Sequence, residues 1–204
     1  MVPKEILKKH YAEYASLPDE WVRNMEKTKR SIIRAVLDVS PLKYSNTFRV
    51  RVLGASDWRY LSIHDDIFRH LFGQNADVKT FDIDTIHLAG GPHVVAHDVR
   101  TPFPDGPFDV IFSHELMKFL DAHEQATCVM HSYRALYVGG IAIHVMHEPS
   151  IKATAELKNW QYRVDPDELL LSAQRYCSTA RKLVFESESD VSWLRETTVL
   201  LLQK

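Results

Sequence analysis

The chain has 204 residues, 45% of them hydrophobic, which fits one domain with a full core and leaves little room for two. Its 25 basic residues nearly balance 27 acidic ones, so there is no electrostatic reason to expect a nucleic-acid backbone or an anionic membrane as the main partner. A small-molecule substrate is the expectation, with a protein partner left open. Cys128 and Cys177 are too few and too isolated for a disulfide scaffold or a zinc site. The Met1 end, with Lys4, Glu5, Lys8 and Lys9, has no apolar signal core, and no apolar run approaches the roughly 18 to 20 residues of a membrane span. A cytoplasmic location is expected.

Pro3 to Tyr14 reads as a short helix. A second begins near Pro18, since proline suits a first helical turn; it carries Trp21, Val22, Met25, Ile32, Ile33, Val36 and Leu37 on one face and stops at Pro41. Phe48 to Leu53 reads as a strand running into Gly54, Ala55, Ser56 and Asp57, and Trp58 to Phe72 as a helix closed by Gly73. Ser56 or Asp57 would cap that helix, whose free N–H groups are the usual seat of an anionic ligand group. Arg49 and Arg51 sit oddly in a strand that should be covered on both faces. Val78 to Asp82 is the next strand. An acidic side chain at its carboxyl end can accept both hydroxyls of a ribose, which makes Asp82 a candidate nucleoside ligand and Asp84 the nearer fit to a turn aspartate. Thr85 to Pro92, with Gly90 and Gly91, is too short for a full helix and is expected to be a loop.

Val94 to Ala96 and Phe108 to Phe112 are apolar runs flanking a segment rich in proline, glycine and aspartate, the pattern of two strands and a shaped loop. Asp98 ends the first run. Asp109 lies inside the second and needs a partner or a solvated strand entrance. Ser113, His114 and Glu115 emerge at the carboxyl end of this strand, where open α/β sheets place their ligands. A helix from Asp121 or Ala122 to about Tyr137 buries Ala126, Val129, Met130, Tyr133 and Leu136. Val138, Gly139 and Gly140 turn into a strand from Ile141 to Met146, followed by the polar piece Ser150 to Val164. Asp165 and Pro166 cap a helix to about Cys177, and Lys182 to Glu186 pairs with Thr197 to Leu202 as an antiparallel hairpin. His144 and His147 are three apart on a strand and point to opposite faces, while His64, Asp65 and Asp66 do not share a helix face. No metal is assigned.

The run of Pro102, Phe103, Pro104, Asp105, Phe108 and Asp109 behind an acidic strand end resembles the middle of the class I S-adenosylmethionine-dependent methyltransferases of the type 11 kind. The resemblance implies an α/β, Rossmann-like three-layer sandwich with a mostly parallel seven-stranded sheet, an antiparallel last strand and added N-terminal helices. It implies a single domain with a helical cap over 1–41 and a core over 48–204, and S-adenosylmethionine-dependent methyl transfer to a small-molecule acceptor. The cofactor S-adenosylmethionine would lie with its methionine end at Gly54, Ala55 and Ser56, its ribose on Asp82, its adenine at Asp98 and Val99, and Ser113 nearby. His114, His147 and Glu148 are candidate bases for an acceptor that must lose a proton. Tyr11, Tyr14 and Trp21 either touch substrate or pack against the domain.

Around the first glycine turn three positions depart from the family's pattern. Val52 stands where an acid precedes the first glycine, and Ser56 and Trp58 take the second and third glycine positions. Trp58 therefore either fills part of the pocket or turns outward from the first helical turn. The same departures carry an alternative, a methyltransferase-like protein without catalysis that serves as a binding or regulatory partner. A nicotinamide-dependent oxidoreductase is weaker still, because Gly54 alone falls short of G-x-G-x-x-G.

Overall fold

The computed structural model describes residues 2–42, 46–89, 93–152, 157–186 and 196–204, with the Glu148 side chain outside the described atoms. Two helices, α1 (Lys4–Ala15) and α2 (Asp19–Val39), precede β1 (Arg49–Leu53), α3 (Arg59–Phe72), β2 (Asp77–Asp82) and β3 (Val94–Ala96). There follow β4 (Phe108–His114), α4 (Ala122–Arg134), β5 (Leu136–His147), α5 (Glu148–Ile151), α6 (Pro166–Gln174), β6 (Arg181–Glu186) and β7 (Glu196–Gln203). The seven strands form one sheet in the order β3-β2-β1-β4-β5-β7-β6. Neighbours from β3 through β5 are parallel, and β7 runs antiparallel to both β5 and β6. This is the mostly parallel three-layer α/β sandwich that the sequence led us to expect.

Side-chain alternation along the strands builds the layers. Val50, Val52, Val110, Phe112 and Val145 point to the side covered by the apolar stripe of α2, Ile32, Ile33 and Val36, and by Ile67 and Phe68 of α3. Leu53, Phe81, Ile111, Ala142 and Met146 point to the other side, covered by Val129 of α4 and Leu169 and Ala173 of α6.

Several boundaries differ from expectation. The fourth helix ends at Arg134, and Leu136 to Gly140 join the strand instead, bulging where Phe108 pairs with Leu136 but Val110 with Ile141. Gly140 makes the bulge possible, since a Cβ there would sit 2.8 Å from the Phe108 carbonyl oxygen. The sixth helix stops at Gln174 rather than near Cys177. The loop after β2 contains a 3-10 turn, Ile86–Leu88, and its Gly90 and Gly91 lie outside the described residues.

The two puzzling arginines work at the amino end of β1. The buried Arg51 guanidinium bonds the Asp77 carboxylate at 2.8 Å and the Asp77 and Val50 carbonyls, and lies 4.6 Å from the Phe108 ring centroid. Arg49 bonds the Pro107 and Asp105 carbonyls, and its N–H gives Asp109 the partner that a charge in a strand requires. Both tie down the sheet edge away from the strand carboxyl ends.

Candidate active site

At the carboxyl ends of β1, β2 and β4 a cavity of about 110 Å³ is roofed by α1 and α2. The chain reaches it from β1 through Gly54, held at a φ of +76° that only glycine adopts freely. Its N–H bonds the Phe81 carbonyl at 2.8 Å, and the next N–H, of Ala55, donates to Asp82 Oδ2 at 2.9 Å. Burial raises the Asp82 pKa, opposed by the Ala55 N–H, His87, the Asp84 N–H and the Tyr11 hydroxyl. Its other oxygen, Oδ1, meets the Tyr11 hydroxyl at 3.4 Å and the Asp84 N–H at 3.2 Å. Tyr11 comes from α1 and stacks flat on His87 at 3.5 Å.

Trp58 is 59% exposed and does not line the cavity, so the outward alternative holds and the pocket is not plugged by indole. Helix phase explains this, because Trp58 occupies the cap position before Arg59 while Asp57 turns inward and accepts from the Arg59 N–H at 2.7 Å. The Asp57–Arg59 fork also reaches the Tyr14 and Leu17 carbonyls, pinning the α1–α2 junction onto the turn. Ser56 stays at the cavity, its hydroxyl 3.1 Å from His10 Nε2.

The most informative residue was not singled out from the sequence. Lys29 is only 5% exposed and lines the cavity from α2. Its ammonium lies 2.7 Å from His64 Nε2 and 4.2 Å from the Tyr60 ring centroid, and among the described residues no carboxylate forms an ion pair with it. Burial pulls the Lys29 pKa down to about 7, and burial followed by Lys29 itself holds His64 well below its ordinary value. The Tyr60 hydroxyl and His64 Nδ1 are buried without partners. A signal was available, because Lys29 falls one turn after Met25 and one before Ile33, on the apolar stripe of its helix.

At the far end, Asp98 and Val99 line the cavity. The Asp98 carboxylate is bound by Arg100, with Nε at 2.9 and 3.0 Å and Nη2 at 2.6 Å, and also accepts from the Arg100 N–H. Arg100 holds the Asp98 carboxyl below its ordinary value and continues to Glu124. Asp98 is therefore a turn aspartate and a cavity residue at once.

His114 and Glu115 close the β4 end. His114 Nε2 lies 2.9 Å from His147 Nε2, whose Nδ1 lies 3.1 Å from the Thr197 hydroxyl. Burial, then His147, Lys29, Lys118 and His64, hold His114 well below its ordinary pKa, and burial brings His147 to about 4. Glu115 has a left-handed backbone, φ +58°, uncommon outside glycine. Its carboxylate takes the His147 N–H at 2.6 Å, the Ser150 hydroxyl at 2.9 Å and the Lys118 ammonium at 2.8 Å. Burial raises Glu115, but Lys118 and His147 outweigh it and leave the carboxyl below its usual value.

Two expected site residues are not at the cavity. Ser113 is fully buried and bonds His144 Nδ1 at 2.8 Å, because strand alternation turns it to the face opposite His114. His147 stands behind His114 rather than at the wall. The Glu148 side chain lies outside the described atoms. Among the described residues no three His, Cys, Asp or Glu converge as metal ligands, and no helix is long and apolar enough to cross a membrane.

A family model described as a methyltransferase domain matches residues 66–144. No curated protein sequence matches the chain. The N-methyltransferase NodS from Bradyrhizobium japonicum WM9, in complex with S-adenosyl-L-homocysteine, superposes with a TM-score of 0.62 at 12% identity, covering 98% of this chain and 97% of that one. An S-adenosylmethionine-dependent methyltransferase from Clostridium acetobutylicum gives 0.64 at 11% identity over 95% of this chain and 98% of that one. A TehB-like S-adenosylmethionine-dependent methyltransferase from Corynebacterium glutamicum gives 0.59 at 18% identity over 97% and 99%. The chain has the class I methyltransferase fold. Within this methyltransferase fold the matched segment runs from α3 to β5, so it takes in Asp82, Asp98, His114 and Glu115 and leaves out Lys29 and the Gly54–Asp57 turn.

Proposed function

We propose that the protein binds S-adenosylmethionine in this cavity and transfers its methyl group to a small-molecule acceptor. One observation carries the reading: a single cavity presents a buried carboxylate, Asp82, and a buried amine with no counter-charge among the described residues, Lys29. An adenosyl amino acid offers the complement of both, a ribose diol and a carboxylate. The two long contacts at Asp82 Oδ1 are ones that ribose hydroxyls can replace. Lys29 and the unpartnered Tyr60 hydroxyl are placed to take the tail carboxylate, beside the Gly54 to Ser56 turn. Asp98 and Val99 remain the residues for the adenine.

The cofactor supplies a methyl carbon made electrophilic by its sulfonium. The chain's own contribution is to hold donor and acceptor in line and exclude water. His114 and His147 are too weakly basic to store a proton near pH 7, so they act as neutral hydrogen-bond partners that orient rather than as proton sinks. Glu115, held ionised by Lys118, is a fixed negative charge at the β4 end.

Tyr11 and His10 reach from α1 onto Asp82 and Ser56, so ligand entry requires these contacts to break. The same contacts favour the second reading, a fold whose donor site stays shut. Calorimetric titration with S-adenosylhomocysteine separates the two. Saturable binding that Asp82→Ala weakens supports the donor site. Absence of heat at millimolar ligand in the wild type, with binding restored by Tyr11→Ala, supports the closed fold.

A further inference from the structure

Beside the donor cavity lies a cleft of about 280 Å³, lined by His10, Tyr14, Trp21, Glu115, Lys118 and Trp160 among others. His10, Tyr14, Glu115 and Lys118 belong to both spaces and form the wall between them. We infer that this cleft is the acceptor site and that it takes a neutral, flat aromatic ring bearing an amine nitrogen. The inference rests on the methyl-transfer reading above.

The walls argue for a ring. Trp160 stacks on Phe119 at 5.2 Å and 20°, meets His10 edge-on at 5.6 Å, and His10 in turn lies 4.4 Å from Tyr14. Aromatic faces and edges in this arrangement select another π-system by stacking and edge contacts. Neutrality follows from the charges of the described lining residues, which are closed on themselves in two pairs, Glu115–Lys118 and Glu13–Lys158, each at 2.8 Å. A charged ligand would be desolvated there with no free counter-charge among those residues.

His10 supplies the polar contact. It is 4% exposed; its Nε2 bonds Ser56 of the Gly54–Ser56 turn, and its Nδ1 is buried with no partner among the described residues. Such an orphan costs free energy until something bonds it, and a ligand amine edge does so. Burial, then Lys118 and Lys158, bring the His10 pKa to about 3, so it orients and does not take up a proton. A hydroxyl acceptor would need a base, whereas a neutral amine has its own lone pair. The amine nitrogen bonds the methyl carbon, the carbon–sulfur electron pair passes to sulfur to leave S-adenosylhomocysteine, and the proton on the methylated nitrogen goes to water.

The test uses the full chain saturated with S-adenosylhomocysteine and three probes: 3-aminoquinoline, 2-naphthol and cyclohexylamine. The aminoquinoline should raise the melting temperature of the complex. Trp160→Leu should weaken its binding about fivefold, the loss of one aromatic pair. Gln161→Trp, which fills the cleft, should abolish it. With S-adenosylmethionine the aminoquinoline should gain one methyl on nitrogen. Binding of cyclohexylamine in preference, methylation of the naphthol in preference, or equal aminoquinoline binding in both variants overturns the inference. So does a wild type that binds S-adenosylhomocysteine but no flat amine. Failure of S-adenosylhomocysteine itself to bind would instead remove the donor-site reading.

Discussion

The two ends of the cavity under α1 and α2 hold their charged groups in opposite ways. At the end proposed for the adenine the Asp98 carboxylate is saturated by the Arg100 guanidinium and partly open to water. At the end proposed for the methionine tail the Lys29 side chain is desolvated, with a histidine and an aromatic ring for company. A ligand that meets Asp98 joins a pair already made, so it gains little. One that brings a carboxylate to Lys29 supplies the counter-charge that lets its buried amine hold a proton, in a site where water screens the pair little. If the proposed donor site holds, most of the binding energy lies at the Gly54–Ser56 end, not at the Asp98 end.

The sharpest way to break that asymmetry is Lys29→Met. It should weaken S-adenosylhomocysteine about a hundredfold, the usual cost of truncating one member of a buried charge pair. The same substitution should raise the melting temperature at pH 7, because it removes an ionisable group from an apolar site. A gain in stability with a loss of affinity is a signature that simple damage to the fold does not produce.

The pH dependence of stability isolates the same group. Lys29 titrates at about 7 when folded against an ordinary 10.5, so between those values the unfolded chain holds a proton that the folded one lacks. Stability from Lys29 therefore rises as pH climbs through that window and is lowest below it. Melting temperatures from pH 7 to 9.5 should show this rise in the wild type and a flatter line in Lys29→Met. Ligand binding at pH 8 should take up a proton, seen as heat that depends on the buffer's ionisation enthalpy.

Asp82→Ala should come next, about tenfold in affinity, from loss of hydrogen bonds to a charged acceptor. Asp98→Ala should cost less, about threefold, since Arg100 already satisfies the carboxylate. Smallest is Trp58→Gly, with no change in affinity, because the indole points to solvent.

What was legible in the sequence follows the same physics. The period-two rule separated His144 from His147, and the structure sends them to Ser113 and His114 on opposite faces. Applied one residue further, that rule would have turned Ser113 away from the cavity. The 3.6-residue period outlined the buried face of α2, yet the lysine on that stripe went unread because a charge there resembles a break in pattern. Arg49 and Arg51 had no account because their partners, Asp77, Asp105 and Pro107, come from distant segments that only the sheet register brings together. The succession of strands and helices was readable, since strand, turn and helix signals recur locally, while the mostly parallel sheet with its antiparallel last strand came from the family resemblance. Of the cleft proposed for the acceptor, only Tyr14 and Trp21 stood out in the sequence as candidate substrate contacts, because α1, α2 and the piece after β5 that line it meet only in three dimensions.

The most direct test of the central claim is a calorimetric titration of S-adenosylhomocysteine into the wild type and Lys29→Met, side by side. Saturable one-site binding is expected in the wild type, with a dissociation constant about a hundredfold weaker in the variant. Equal binding by both proteins, or no heat from the wild type at millimolar ligand, would contradict it.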